Sequence, residues 1–217
     1  KRSVPIFGGI AIFSGIIFSL LFWGKLDSIQ FILVSLVIVF FVGVIDDLLG
    51  LSPYKKIIGQ VIAILILIYL GKIQINSMHG VLGVYELPDI IATLFTVFVV
   101  IVITNGFNLI DGVDGLASGI GVIASLAFGV MAYLMNQTDM AIIAFSLLGA
   151  LLAFLKYNFH PARLFMGDTG SLVVGMVLSV LAINLIHSGV VTETIHFPNK
   201  GPLIAIIFLA TPLFDSL

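Results

Sequence analysis

Residues Asn105–Gly119, NGFNLIDGVDGLASG, set two amides and two carboxylates in one short segment between long apolar runs. Asn105, Asn108, Asp111 and Asp114 recur at a spacing of three, so a helical turn would give them one broad face. Gly106, Gly112, Gly115 and Gly119 would let the backbone bend and approach a ligand closely. Gly115 and Gly119 also form a GxxxG pair, the blander alternative of helix packing. An aspartate at the centre of a membrane helix costs about 2.5–3.5 kcal/mol on insertion scales. Two of them beside two asparagines therefore call for an aqueous pocket, a metal or a substrate.

Working outward, the flanks identify the solvent. The chain has 217 residues, 60% hydrophobic and 9% charged, against about 25% charged in a soluble domain. Its mean hydropathy is +1.27. This is the composition of an integral membrane protein. A net charge of -2 leaves no basic surface for nucleic acid. With no cysteine, disulfide scaffolds and thiolate metal sites are excluded. Apolar runs of membrane-spanning length predict an all-α, polytopic helix bundle of about eight spans. They fall near Ile6–Trp23, Ile29–Ile45, Lys56–Leu70, Ile90–Phe107, Leu116–Met135, Met140–Leu155, Ser171–His187 and Pro202–Leu217. Neither a repeat nor a linker divides the chain, so residues 1–217 read as a single domain.

Threading these spans back and forth sorts the loops. One side receives Lys1, Arg2, Lys55, Lys56, Lys156 and Arg163, the other only Lys25, Lys72 and Lys200. The positive-inside rule puts the first set in the cytoplasm. Asp46, Asp47, Asp111, Asp114, Asp168 and Asp215 land on that same side, which points to one cytoplasmic site in a multi-pass plasma-membrane protein. On the other side, Lys72–Leu87 alternates apolar and polar residues around His79–Gly80 and reads as a short hairpin. His79, His187 and His196 fall there as ordinary interfacial histidines.

Two further constellations share the aspartate face. Asp46 and Asp47 end a span, where the helix dipole disfavours negative charge, so Lys55, Lys56 or a divalent metal must offset them. Ser52 and Pro53 suit the N-cap and first position of the next helix, which sets Lys56 and Gln60 one turn apart on one face. In KYNFHPARLFMGDTGSL, Asp168 and Thr169 precede a span, so unpaired N–H groups of a helix N-terminus, which favour phosphate, point into the loop. Phe165 offers an aromatic face for a base, and Arg163 or His160 a phosphate contact. Carboxylate and amide oxygens without thiolates select a hard cation such as magnesium. Together these features suggest phosphoryl transfer to a lipid.

At this point the sequence resembles the polyprenyl-phosphate N-acetylhexosamine-1-phosphate transferases. The likeness is carried in order by VPIFGG (Val4–Gly9), VGVIDDLLGLSPYKKIIGQ, NGFNLIDGVDGLASG and NFHPARLFMGDTGSL. It implies magnesium, with manganese as a substitute, on Asp168 and Asn108, and Asp46, Asp47 and Lys56 as the catalytic group. It also implies Asp111, Asp114, Asn158 and Arg163 around a UDP-sugar, with Phe165 stacked on uracil, a polyprenyl phosphate acceptor, and a homodimer as an allowed assembly. NLIDG and NFHPAR look more like the UDP-N-acetylglucosamine branch than the muramoyl-pentapeptide branch. Relative to that family the chain reads as truncated at both ends, lacking an N-terminal span and a late histidine-rich loop.

Two rival classes fit less well. Asp111–Gly115 begins like the motif of CDP-alcohol phosphotransferases, but Ala117 comes one position early and no arginine follows it. An ion-coupled transporter predicts carboxylates near mid-bilayer and an inverted repeat, whereas these carboxylates gather at one surface.

Overall fold

The structure is a computed structural model that describes residues 5–188, 190–191, 196–197 and 201–211. Lys1, Arg2, Lys200, Asp215, the side chain of His196 and the tail of the last expected span lie outside the described residues. The described chain forms helices α1 (Gly8–Trp23), α2 (Leu26–Leu49), α3 (Pro53–Tyr69), α4 (Asp89–Ile110), α5 (Leu116–Leu134), α6 (Thr138–Asn158), α7 (Gly167–Ser188) and α8 (Gly201–Phe208). Strands β1 (Val190–Val191) and β2 (His196–Phe197) pair as a short antiparallel ribbon before α8. Each expected span falls on a helix. Helices α2, α4, α5, α6 and α7 are long and apolar enough to cross a membrane, while α1 and α3 are shorter, at 16 and 17 residues. The chain is a multi-pass membrane protein.

Helix α7 is the centre of the bundle. Its sequence, GDTGSLVVGMVLSVLAINLIHS, carries small residues at Gly170, Ser171, Gly175 and Ser179, which let neighbouring membrane helices approach closely. It is buried from Thr169 through Ile183 and packs against α1, α2, α4, α5, α6 and α8. Close approach at its first turn depends on a missing side chain: a Cβ at Gly9 of α1 would lie 2.2 Å from the Gly170 nitrogen. The VPIFGG stretch therefore docks α1 onto α7. Gly8 N also donates to the Phe165 carbonyl, and Gly9 N to that of Met166, at 3.0 and 2.9 Å.

Three helix ends run past the expected boundaries where the carboxylates lie. Helix α2 runs on to Leu49, α4 to Ile110, and α7 starts at Gly167, so Asp46, Asp47, Asn108 and Asp168 are all helical. Hydropathy marks the thickness of hydrocarbon, whereas hydrogen bonding carries a helix a further turn into polar residues. Ser52 does occupy the N-cap of α3 with Pro53 behind it, but its backbone carbonyl, not its hydroxyl, accepts from Lys55 N and Lys56 N. On the opposite end of the bundle the excursion between α3 and α4 pairs its backbone, with Met78 N donating to Tyr85 O at 2.9 Å and Leu87 N to Asn76 O at 2.9 Å. The tip is a 3-10 turn at Val81–Gly83, a little beyond the His79–Gly80 centre read from the pattern. A Cβ at Gly119 would meet no atom within 4 Å, so no close helix contact depends on it, and Gly115 instead takes a φ of +75 at the N-cap of α5.

Candidate active site

The ends of α2 and α4 and the starts of α3 and α7 meet at one end of the bundle. Lys56, in the first turn of α3, places its Nζ 3.0 Å from Asp46 Oδ2 and 2.9 Å from Asp168 Oδ1. Asp46 Oδ1 accepts from Leu51 N at 2.7 Å. The unfavourable charge at the C-terminus of α2 is thus offset for Asp46 by Lys56, and among the described residues Lys55 forms no ion pair. Gln60, one turn further along α3, is fully buried.

Asp47 goes elsewhere. Successive helical residues diverge by about 100°, and Asp47 forms no ion pair with Lys56. Asp47 Oδ1 accepts from Asp168 N at 2.8 Å, and its Oδ2 from Thr169 N at 3.0 Å and Thr169 Oγ1 at 2.6 Å. Gly167 N donates to Asp111 Oδ2 at 3.2 Å. This corrects the reading of the α7 N-terminus as a set of unpaired donors awaiting phosphate: carboxylates from two other helices occupy those N–H groups.

The evenly spaced polar residues do not share one face either. Helix α4 ends at Ile110, so the register breaks before Asp111. Asn105 Nδ2 turns back onto its own helix at Ile101 O, 3.0 Å away. Asn108 Nδ2 donates to Asp168 Oδ1 and, at 2.9 Å, to Ser171 Oγ. Asp114 Oδ2 accepts from Ala162 N at 3.1 Å and lies 3.0 Å from His160 Nδ1, tying the α4–α5 turn to the loop after α6. Those two contacts, the Ala162 N–H first, hold the Asp114 carboxyl below the usual carboxylate range. Asn158 is buried at the base of that loop. Its Oδ1 accepts from Gly115 N at 3.0 Å and Ser118 Oγ at 2.8 Å, and its Nδ2 donates to Leu164 O at 3.1 Å.

What remains open is a cleft of about 410 Å³ lined by Asp47, Asn108, Asp111, Phe165 and Asp168 together with Ile6. Phe165 is 37% exposed on its rim. Its backbone is fixed by the N-terminal segment, since Phe165 N donates to Pro5 O at 3.0 Å. Arg163 is exposed on the same loop but is not among the cleft-lining residues. Larger cavities lie between α1 and α6, away from these carboxylates. Sequence reading missed Ile6 as part of this region, although the VPIFGG motif carried its signal; it placed Thr169 at the start of α7 but not its pairing with Asp47.

The donor chemistry fits a hard divalent cation held loosely. Two carboxylates, Asp46 and Asp168, share the Lys56 ammonium, and two more, Asp47 and Asp111, sit at the N-terminus of α7. Among the described residues no three acidic or histidine side chains form a preformed cage. Magnesium is ordinarily held in this way, by one or two carboxylates plus water and substrate phosphates. Burial, followed by the neighbouring charges of Asp168 and Asp47, pushes the Asp111 carboxyl up to about 7 against the hydrogen bond from Gly167. A raised acid favours the fold while neutral, so that contribution is present below 3.8 and is lost as pH rises through about 7. Without divalent cations, Asp111→Asn should therefore raise the thermal midpoint at pH 8 by at least about 2–4 °C, the shift that each kcal/mol brings in a chain of this size. The gain should shrink as pH falls from about 7 toward 3.8. Thermal unfolding in detergent with chelator across that range measures it, and a pH-independent gap would contradict the assignment.

Fold and site together define a polytopic membrane protein with a carboxylate-rich polar cleft at one end of its bundle. The model of glycosyl transferase family 4 matches residues 29–186, and the chain belongs to that family. It is 36% identical to the phospho-N-acetylmuramoyl-pentapeptide-transferase of Borrelia hermsii, over 85% of this chain and 62% of that protein. It is 34% identical to the probable undecaprenyl-phosphate N-acetylglucosaminyl 1-phosphate transferase of Bacillus subtilis, over 99% of this chain and 59% of that protein. The chain thus spans about six-tenths of the length of these curated relatives. The resemblance to polyprenyl-phosphate sugar-1-phosphate transferases, read from four ordered motifs, is borne out.

Proposed function

We propose that the protein acts in the transfer of N-acetylglucosamine-1-phosphate from UDP-N-acetylglucosamine to a polyprenyl phosphate such as undecaprenyl phosphate, releasing UMP. The reaction takes place at the cytoplasmic face of the plasma membrane, as the first membrane step of a cell-envelope glycopolymer. The observation that carries this reading is the convergence of Asp47, Asn108, Asp111 and Asp168 on one cleft beside an exposed aromatic, with Lys56 tying Asp168 to Asp46. A lipid phosphate at the membrane surface and a soluble nucleotide both reach such a place. Phospho-N-acetylmuramoyl-pentapeptide transfer is the second reading, because relatives with that name are as similar as the N-acetylglucosaminyl one.

Asp168 and Asn108 would hold magnesium, which when bound neutralises phosphate charge and polarises the phosphoryl group. Lys56 holds the Asp168 and Asp46 carboxylates in one orientation, which is the positioning that phosphoryl transfer chiefly requires. Phe165 stacks on uracil at the rim, and Arg163 on the same loop adds a cation near the nucleotide.

The test uses the full-length protein with labelled UDP-N-acetylglucosamine and undecaprenyl phosphate, scoring lipid-linked sugar and UMP in equal amounts. UDP-N-acetylmuramoyl-pentapeptide serves in a parallel assay. Use of the pentapeptide donor alone selects the second reading, and use of neither ends the proposal. Phe165→Ala should weaken UDP-sugar binding by about 1–3 kcal/mol, the range for base–aromatic stacking. The KM for the lipid phosphate should barely move. Equal losses for both substrates would instead indicate a folding defect.

A further inference from the structure

Asp47 contacts α7 in a manner that none of the other site carboxylates does. Three of its roughly four lone-pair sites are taken by one turn of that helix: Asp168 N at 2.8 Å, Thr169 N at 3.0 Å and Thr169 Oγ1 at 2.6 Å. The reach is short because the helices nearly touch there. Gly43 lies one turn before Asp47 on α2, and a Cβ at that position would be 2.4 Å from Thr169 Cα. Gly167 has a φ of +72, and a Cβ there would lie 2.8 Å from Asp47 Oδ2. A carboxylate at a helix N-terminus satisfies orphan donors and meets the positive end of the dipole.

We propose that Asp47 is a positioning residue: it caps α7 from the neighbouring helix and thereby fixes the direction in which Asp168 projects toward Lys56 and the cleft. This rests on the reading of Asp168 as the functional carboxylate. It separates the two adjacent aspartates by role, with Asp46 paired to Lys56, and Asp47 bonded to the backbone that carries Asp168. An aspartate is the right length for this. Glutamate would push against a contact that Gly43 shows has no slack, and alanine would leave two buried N–H groups unpaired. Asparagine keeps one acceptor for the backbone and can present its amide N–H to Thr169 Oγ1.

The decisive measurement is amide hydrogen exchange on the full-length protein in lipid nanodiscs, without substrate or metal. Asp47→Ala should speed exchange across Gly167–Ser171 by about tenfold, the population change that loss of a helix cap produces. Protection of Leu178–Ser188 should stay intact, which shows that the bundle has not unfolded. Turnover should fall in the order wild type, Asn, Ala at position 47, with Asn recovering at least about tenfold over Ala. Thr169→Val keeps the shape and removes only the hydroxyl hydrogen bond. Its effect on exchange and that of Asp47→Asn should be non-additive, as for groups in one contact. That cycle decides the matter if the alanine variant does not insert. Unchanged exchange at the start of α7, additive effects in the cycle, or equal loss in Asn and Ala with protection retained would each overturn the proposal. The last outcome would place Asp47 among the reacting groups. Because exchange is read without turnover, failure of the transfer reading leaves this result distinguishable.

Discussion

Asp168→Asn in the full-length protein is expected to lower turnover by at least about a hundredfold, the scale on which a single preorganised electrostatic contact acts. The half-saturating magnesium concentration should rise with it. Asparagine keeps an oxygen that can accept from Lys56 and Asn108, so the local hydrogen bonds survive while the charge is lost. Lys56 retains Asp46 as its counter-ion at 3.0 Å, so no buried ammonium is left unpaired. The thermal midpoint should therefore move little, and the defect should be one of cation affinity rather than folding. A magnesium titration of lipid-linked sugar formation, run beside thermal unfolding, separates the two. Ordinary turnover at ordinary magnesium would show that the cation is held elsewhere and would remove Asp168 from the proposed ligand set.

The bundle was legible in the sequence because its causes are local. Apolar runs give the helices, Ser52–Pro53 gives the start of α3, and the alternation of spans brings the aspartates to one end. The site was legible as a gathering of residues but not as a set of pairings. Asp47 and Thr169 are separated by 122 positions, and nothing in either neighbourhood announces the other. The divergence of consecutive helical side chains does imply that Asp46 and Asp47 point in different directions, once both are known to be helical. Hydropathy ended α2 at Ile45, before both of them, and that hid the implication. Asn158 and Asp114 show a related gap. Each is polar and near the cleft in sequence, yet its hydrogen bonds run to Gly115, Ser118 and Leu164 or to Ala162, contacts that hold the loop rather than line the cleft.

The second large effect concerns how the phosphoryl group moves. In direct transfer an oxygen of the lipid phosphate bonds to the β-phosphorus of the UDP-sugar, the bond from that phosphorus to the bridging oxygen breaks, and UMP departs with the electron pair. A phosphate monoester has its second pKa near about 6 and is largely dianionic at neutral pH, so it needs little help from a base. The alternative makes an aspartate the nucleophile and passes through an aspartyl-phosphate sugar. Geometry disfavours that route. Asp46 is 9% exposed at its side chain, with one oxygen on Lys56 and the other on Leu51 N, and a carboxylate so engaged is a weakened nucleophile. Asp47 is turned to the backbone of α7. Full-length enzyme stripped of lipid acceptor should therefore fail to exchange labelled UMP into UDP-N-acetylglucosamine, and no sugar phosphate should be trapped on the protein. Asp46→Asn should lower complete turnover by about a hundredfold or more, by removing one of the two negative charges paired with Lys56, while exchange stays at background in both proteins. Robust exchange in the wild type that vanishes in Asp46→Asn would reverse the assignment and make Asp46 the nucleophile.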